Sequence, residues 1–98
     1  MKAAELFRCR ISFSESAFAE LALWQIPARL PGSTHSYRYR LAYVVDGLGV
    51  LRYDNEAGKG DHRHFRGRRA RYAFETVEKL LTAFQRDIER INREDCDA

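Results

Sequence analysis

His62 and His64 stand two residues apart in the segment Glu56-Ala57-Gly58-Lys59-Gly60-Asp61-His62-Arg63-His64. With Lys59, Asp61 and the nearby Asp54 they form a dense set of side chains capable of chemistry. On extended backbone, alternate residues point to one side, so the two imidazoles would share a face. An imidazole titrates at about pH 6.5 and can take or give a proton in neutral water. Two of them suit cleavage of RNA: one removes the 2′-hydroxyl proton and the other protonates the departing 5′-oxygen. Lys59 and Arg63 would stabilise the charge of the phosphorane, and Asp54 or Asp61 would orient an imidazole. This reading takes His62, His64, Lys59, Asp61 and Asp54 as the catalytic set and needs no metal or other cofactor. Spacing does not decide which histidine is acid and which is base.

Two other chemistries compete for the same residues. Gly58 and Gly60 let backbone amides turn toward a phosphate, with Lys59 as a point charge. A P-loop is excluded, because Tyr53 stands where its first glycine belongs and Gly60 where Ser or Thr belongs. A divalent ion could sit between His62 and His64 with Asp54 or Asp61 as third ligand, but two histidines without a second spaced pair are a poor zinc signature. The plainest alternative is a charged turn after a strand.

The charge around this segment is local. Residues 59–71 hold Lys59, Arg63, Arg66, Arg68, Arg69 and Arg71 against Asp61, whereas residues 74–98 are net acidic and the whole chain carries +3. A basic cluster of this kind suits an anionic partner. Arg63, Arg66, Arg68, Arg69 and Arg71 are therefore candidate RNA-binding residues, with Tyr53 and Asn55 beside them. Tyr37, Tyr39, Tyr43 and Tyr53 could stack bases if their sheet face is open, although alternate aromatics on a strand more often build a core.

Phe7 to Phe13 alternates apolar and polar residues, as a half-buried strand does. Ser14-Glu15-Ser16 reads as a turn and residues 17–26 as a second strand, stopped by Pro27. Residues 27–33 form a loop. In Ser36–Val45, Tyr37, Tyr39, Leu41 and Tyr43 share one face, with Arg38 and Arg40 on the other. Asp46-Gly47 marks a hairpin, Val50–Asp54 returns, and Arg71–Phe74 offers a short fifth strand. Thr76 caps a helix whose Val77, Leu80, Leu81, Phe84, Ile88 and Ile91 form one apolar stripe. The expected fold is α+β, a four- to five-stranded antiparallel sheet with one C-terminal helix packed on a face. The other face is left to solvent, partner or substrate.

The 98 residues fit one compact domain, and 45% hydrophobic content argues against a disordered chain. Cys9 and Cys96 lie in such different settings that they suggest no disulfide. Without a leader pattern or a membrane-length apolar run, the expected location is cytoplasmic, away from any membrane. A homodimer through an edge strand is compatible with the sequence.

LALWQIPARLPGSTHSYRYRL, LRYDNEAGKGDHRHFRG and a Tyr-x-Phe before a capped helix together resemble the TumE family, small toxins of bacterial two-gene toxin–antitoxin modules. The likeness runs from about Phe7 to Ile91. It implies growth arrest through RNA or translation, neutralised by a cognate helix-turn-helix antitoxin, and points at Asp54, Asn55, Glu56, Lys59, Gly60, Asp61, His62 and His64. Where family members often carry acidic residues before the Tyr-x-Phe, this chain has Arg68, Arg69 and Arg71. The expectation is a metal-independent RNA-cleaving toxin that blocks translation. The rivals are a nucleotide-using toxin that modifies tRNA or protein, and a non-catalytic RNA- or ribosome-binding module.

Overall fold

The computed structural model describes residues 3–97, with side chains through Glu94, so the Cys96 thiol lies outside the described residues. The chain is an antiparallel meander followed by a helix. β1 (Ala4–Ser12), β2 (Ala17–Gln25), β3 (Tyr37–Val45), β4 (Leu48–Glu56), β5 (Gly60–Phe65) and β6 (Arg68–Arg71) lie side by side in chain order, and α1 (Val77–Asp97) follows. The α+β class is as expected. The sheet has six strands, however, rather than four to five.

The additional strand β5 and the displaced strand β6 both come from the charged segment that reads as a loop. Glu56 pairs with Gly60 and Leu51 with Phe65, so the chain reverses over Ala57-Gly58-Lys59 and runs back along β4. Gly58 and Gly60 both have positive φ, 79° and 74°, which a side chain would resist. A second reversal at Arg66-Gly67, with φ of 49° and 83°, starts β6. Two successive positive φ angles define the tight turn that matches strand twist, and Asp46-Gly47 makes the same turn between β3 and β4. Arg66 is an unusual residue for that place, so the turn carries no sequence signal. The strand expected at Arg71–Phe74 lies earlier, at Arg68–Arg71; Tyr72 and Phe74 instead pack inward.

The helix covers the face carrying the tyrosines. Ala19, Leu23, Tyr39, Leu41, Tyr43, Leu51 and Tyr53 meet Leu80, Phe84, Ile88 and Ile91 in a closed core, each 4% exposed or less. Thr76 accepts the Lys79 amide at 3.1 Å, as an N-cap should. Tyr39, Tyr43 and Tyr53 are therefore unavailable to bases, and Tyr37 packs against the same core. The tyrosine hydroxyls reach polar partners at the core's edge: Tyr43 donates to Asn92, Tyr53 to Asp87 and Tyr39 to Asp61. Among the described residues no helix is long and apolar enough to cross a membrane.

These buried phenols predict an alkaline limit to stability. Burial, then the hydrogen bond to a carboxylate, pushes both Tyr39 and Tyr53 well above the ordinary tyrosine value of 10.0. A group raised in the folded state gives stability that is present below its unfolded pKa and lost as pH rises beyond it. The free energy of unfolding should fall above pH ~10 by about 1.4 kcal/mol per pH unit for each tyrosine. Urea titrations between pH 9 and about 11 check this, since Tyr53→Phe should flatten the slope.

Candidate functional site

Strand alternation sorts the candidate residues between two faces. On β4, Leu51, Tyr53 and Asn55 point under the helix, and Arg52, Asp54 and Glu56 point the other way. The register matches Arg52 with His64 and Asp54 with His62, then His62 with Arg71 and His64 with Arg69. Both imidazoles thus emerge on the uncovered face, flanked by Arg52 and Asp54 on one side and by Arg69 and Arg71 on the other.

There His62, His64, Arg52, Asp54, Glu56, Lys59 and Arg69 line a small cleft of about 150 Å³. Arg52 Nη2 lies 3.2 Å from His64 Nε2. A guanidinium can only donate, so Nε2 accepts and the ring is neutral, its proton on Nδ1. Burial, then the Arg52 charge, lowers the His64 pKa from its ordinary value; Asp54, with Oδ1 3.9 Å from Nε2, pulls weakly the other way. Arg52 Nε in turn lies 3.0 Å from Asp54 Oδ2, an ion pair without hydrogen-bond alignment, so Asp54 holds the guanidinium by charge and more closely than it does the imidazole. Arg69 Nη2 is nearly equidistant from the two His62 ring nitrogens, 3.4 and 3.3 Å. It packs beside that ring without aiming at either lone pair. Lys59 reaches the rim in an exposed ion pair with Glu56 at 3.1 Å.

The other candidates lie elsewhere. Asp61 and Arg63, alternating with the histidines, project to the helix face. Arg63 Nε donates to Asp87 at 2.7 Å and to the Tyr53 hydroxyl at 3.1 Å, a bond to the carboxylate that raises its pKa. It anchors β5 to α1, and cannot reach a phosphate at the histidines. Arg66 pairs with Glu94 of α1 at 2.8 Å. Arg68 shares the register of Phe65 and so the helix side of the edge strand. Arg69 and Arg71 are the members of the basic run that share the histidine face. Asn55 is 3% exposed and bonds β3 backbone, accepting from the Tyr39 amide at 3.0 Å and donating to the Tyr37 carbonyl at 2.7 Å. It extends the ladder where the strands part.

The glycine turn is likewise occupied. The Gly58 amide donates to the Pro31 carbonyl at 2.6 Å and the Lys59 amide to the Glu56 carbonyl at 3.1 Å, so neither faces a phosphate. A side chain on Gly60 would press on the Gly32 carbonyl at 3.4 Å. The loop before β3 thus docks on the β4–β5 turn and carries in His35, which the spacing of candidate residues did not single out. His35 Nδ1 accepts the Tyr37 amide at 3.1 Å, which leaves the proton on Nε2 to be donated to Asp61 Oδ2 at 2.7 Å. Tyr39 donates to the same oxygen at 2.6 Å, and Phe74 stacks on the His35 ring at 3.9 Å. Both His35 and Asp61 side chains are 8% exposed. Asp61 therefore orients His35 and neither His62 nor His64.

The sequence model of the family described as Toxin TumE matches residues 3–92. The chain belongs to the TumE toxin family. No curated protein and no solved structure gave a significant match. The family match spans all six strands and most of α1, so the cleft and the buried His35 network both lie within the TumE region. What this TumE chain presents outward, on the sheet face opposite the helix, is a basic surface. Arg8, Arg10, Arg38, Arg40, Arg52, Arg69 and Arg71 share it with the histidines, against Glu5, Glu20, Asp54 and Glu56.

Proposed function

We propose that this TumE-family toxin cuts RNA, with His64 as general base and His62 as general acid. The observation that carries the reading is the placement of two imidazoles in one cleft of an uncovered, arginine-rich sheet face. His64 is neutral as a base must be. Arg52, which now occupies its lone pair, has a stronger acceptor in a phosphate oxygen and would release Nε2 to the 2′-hydroxyl. The 2′-oxygen then attacks phosphorus, its proton passes to His64, and the bond to the 5′-oxygen breaks as His62 donates a proton. Arg52, Arg69 and Lys59 surround the charge that develops between them. Asp54 holds Arg52 in place. The products are a 2′,3′-cyclic phosphate and a 5′-hydroxyl, and no metal takes part.

Purified protein incubated with single-stranded RNA tests this. We expect cyclic-phosphate ends, cleavage unchanged by EDTA, and an all-deoxy strand left intact. Intact RNA, or ends bearing a 5′-phosphate, would sink the reading. The basic face on its own also favours a second reading, a non-catalytic module that grips RNA or the ribosome. Under that reading, charge reversal at Arg69 and Arg71 abolishes growth arrest while His62→Gln leaves it intact; cleavage requires both changes to abolish it. A toxin of this kind works in the cytoplasm on its host's own RNA and so needs a neutralising partner. The complement to its basic face is an acidic segment of a cognate helix-turn-helix antitoxin.

A further inference from the structure

The histidine cleft is one end of a longer trough. A neighbouring depression of about 340 Å³ shares Arg52, Asp54 and Glu56 with it and extends to Arg38, Arg40 and Trp24. A larger one of about 710 Å³ shares Trp24 and Arg40 with that and continues to Arg8 and Phe18 on β1 and β2. The three together cross the sheet from β5 to β1, roughly perpendicular to the strands. Trp24 faces the same side as the histidines, because Leu23 beside it is buried at 2% exposure under the helix face. Trp24 on β2 lies three strand spacings, about 14 Å, across the sheet from β5, and two residues along the strands from the row that holds His62.

We infer that this trough binds a single RNA strand across the width of the sheet, with Trp24 as a stacking platform for a base away from the cut. Charge complementarity and continuity with the histidine cleft argue for this occupant. Arginines alternate along the trough where phosphates would pass, and Arg8, ion-paired with Glu5 at 2.9 Å, lies over the Trp24 ring 5.5 Å from its centroid, a cation that a stacking base would displace toward a phosphate. An aromatic face accepts a base only when that base is unstacked, so the substrate class is single-stranded and duplex is refused. The inference rests on the proposed function for the position of the cut, but binding is measured without cleavage.

Trp24 is the sole tryptophan of the chain, so its emission reports on this site directly. The probe is a 2′-O-methyl oligonucleotide, which lacks the nucleophile and stays intact. Titration should quench Trp24 emission, with affinity falling as salt rises, and a perfect duplex of the same sequence should quench far less. With a fluorescently labelled strand, Trp24→Leu should weaken binding by roughly 10- to 100-fold and Trp24→Phe by only a few-fold. Equal quenching by duplex, or a Trp24→Leu protein that folds and binds as tightly as wild type, overturns the platform and leaves cleavage at the histidines standing. Emission that answers to protein concentration and not to RNA gives the trough to a second copy of the chain, and also overturns it. Conversely, Trp24-dependent binding without scission of unmodified RNA removes the catalytic reading and keeps the platform.

Discussion

His62→Ala and His64→Ala should each slow RNA cleavage by about 10²- to 10⁴-fold while leaving the fold unchanged, since general acid and base contributions are of that size. Both side chains project from the uncovered face and neither contributes to the core. Loss of activity with an unaltered unfolding midpoint is therefore the expected pair of results. The two variants should differ in their pH dependence. A base must be unprotonated, and burial with the Arg52 charge holds His64 below the ordinary histidine value of 6.5. Activity should thus persist below that pH and fall only as acidity reaches the lowered His64 pKa. Arg52→Gln removes a cation that depresses the ring, so the acid limb should move upward; the same change removes a phosphate contact, so the maximal rate should drop as well. Asp54→Asn works in the opposite sense on the limb, because Asp54 favours the protonated ring. The rate–pH profiles of the three proteins check this ordering. An acid limb that stays fixed in Arg52→Gln, or a His64→Ala enzyme that keeps its acid limb, means that another group supplies the base.

The alternation of Tyr37, Tyr39, Leu41 and Tyr43 revealed β3, Asp46-Gly47 revealed the following turn, and the Leu80–Ile91 stripe revealed a helix packed on one face, though not that the face was the one bearing the tyrosines. These signals are apolar residues at a fixed period, or a dipeptide that fits one turn. β5 and β6 have neither. Gly60–Phe65 carries one apolar residue, Phe65, because its helix side meets polar partners at the core's rim, His35 and Tyr39 at Asp61 and Asp87 at Arg63, and its other side meets solvent. Its strand character comes from pairing with β4, and no property of the segment alone discloses it. The site was half visible for the same reason. Placing His62 and His64 on one side needs only extended backbone, yet that alternation sends Asp61 and Arg63 to the other side. On a strand, Asp61 could not join His62 and His64 in the catalytic set, nor could Arg63 stabilise a phosphate beside them. His35 reaches Asp61 across 26 residues of sequence through a docked loop, and spacing carries no trace of that contact. Trp24 did leave a signal. Once Leu21 and Leu23 are assigned to the inner face, Trp24 has to stand on the arginine-bearing face, as it does, half-buried under Arg8.

Asp61→Ala should destabilise the protein by about 3–6 kcal/mol, because hydrogen bonds to a charged acceptor contribute roughly 1.5–3 kcal/mol each and two are lost together. Removing the carboxylate strands the His35 Nε2–H and the Tyr39 hydroxyl beneath Phe74, where water does not replace the acceptor. Total stabilities of small domains are about 5–15 kcal/mol, so such a variant stands near the edge of folding at 37 °C. Asp61→Asn separates this role from a catalytic one. Both donors converge on the same oxygen, Oδ2, so an amide with its carbonyl in that position keeps both bonds as weaker neutral ones. Its cost should be about half that of the alanine change, with RNA cleavage by the folded fraction close to wild type. A chemical role at the cut predicts the reverse: a well-folded Asp61→Asn protein whose turnover has collapsed. Urea unfolding and cleavage rates on the same two variants decide between these outcomes. The distinction matters because the Asp61 that pins the loop and the His62 and His64 that face substrate are neighbours on one strand, on opposite sides of one sheet. A change that loosens the loop would let β5 slide or twist and carry both imidazoles with it. Loss of activity in Asp61→Ala would therefore reach the cleft through the backbone, and it should be recovered in proportion to folding when the protein is assayed at lower temperature.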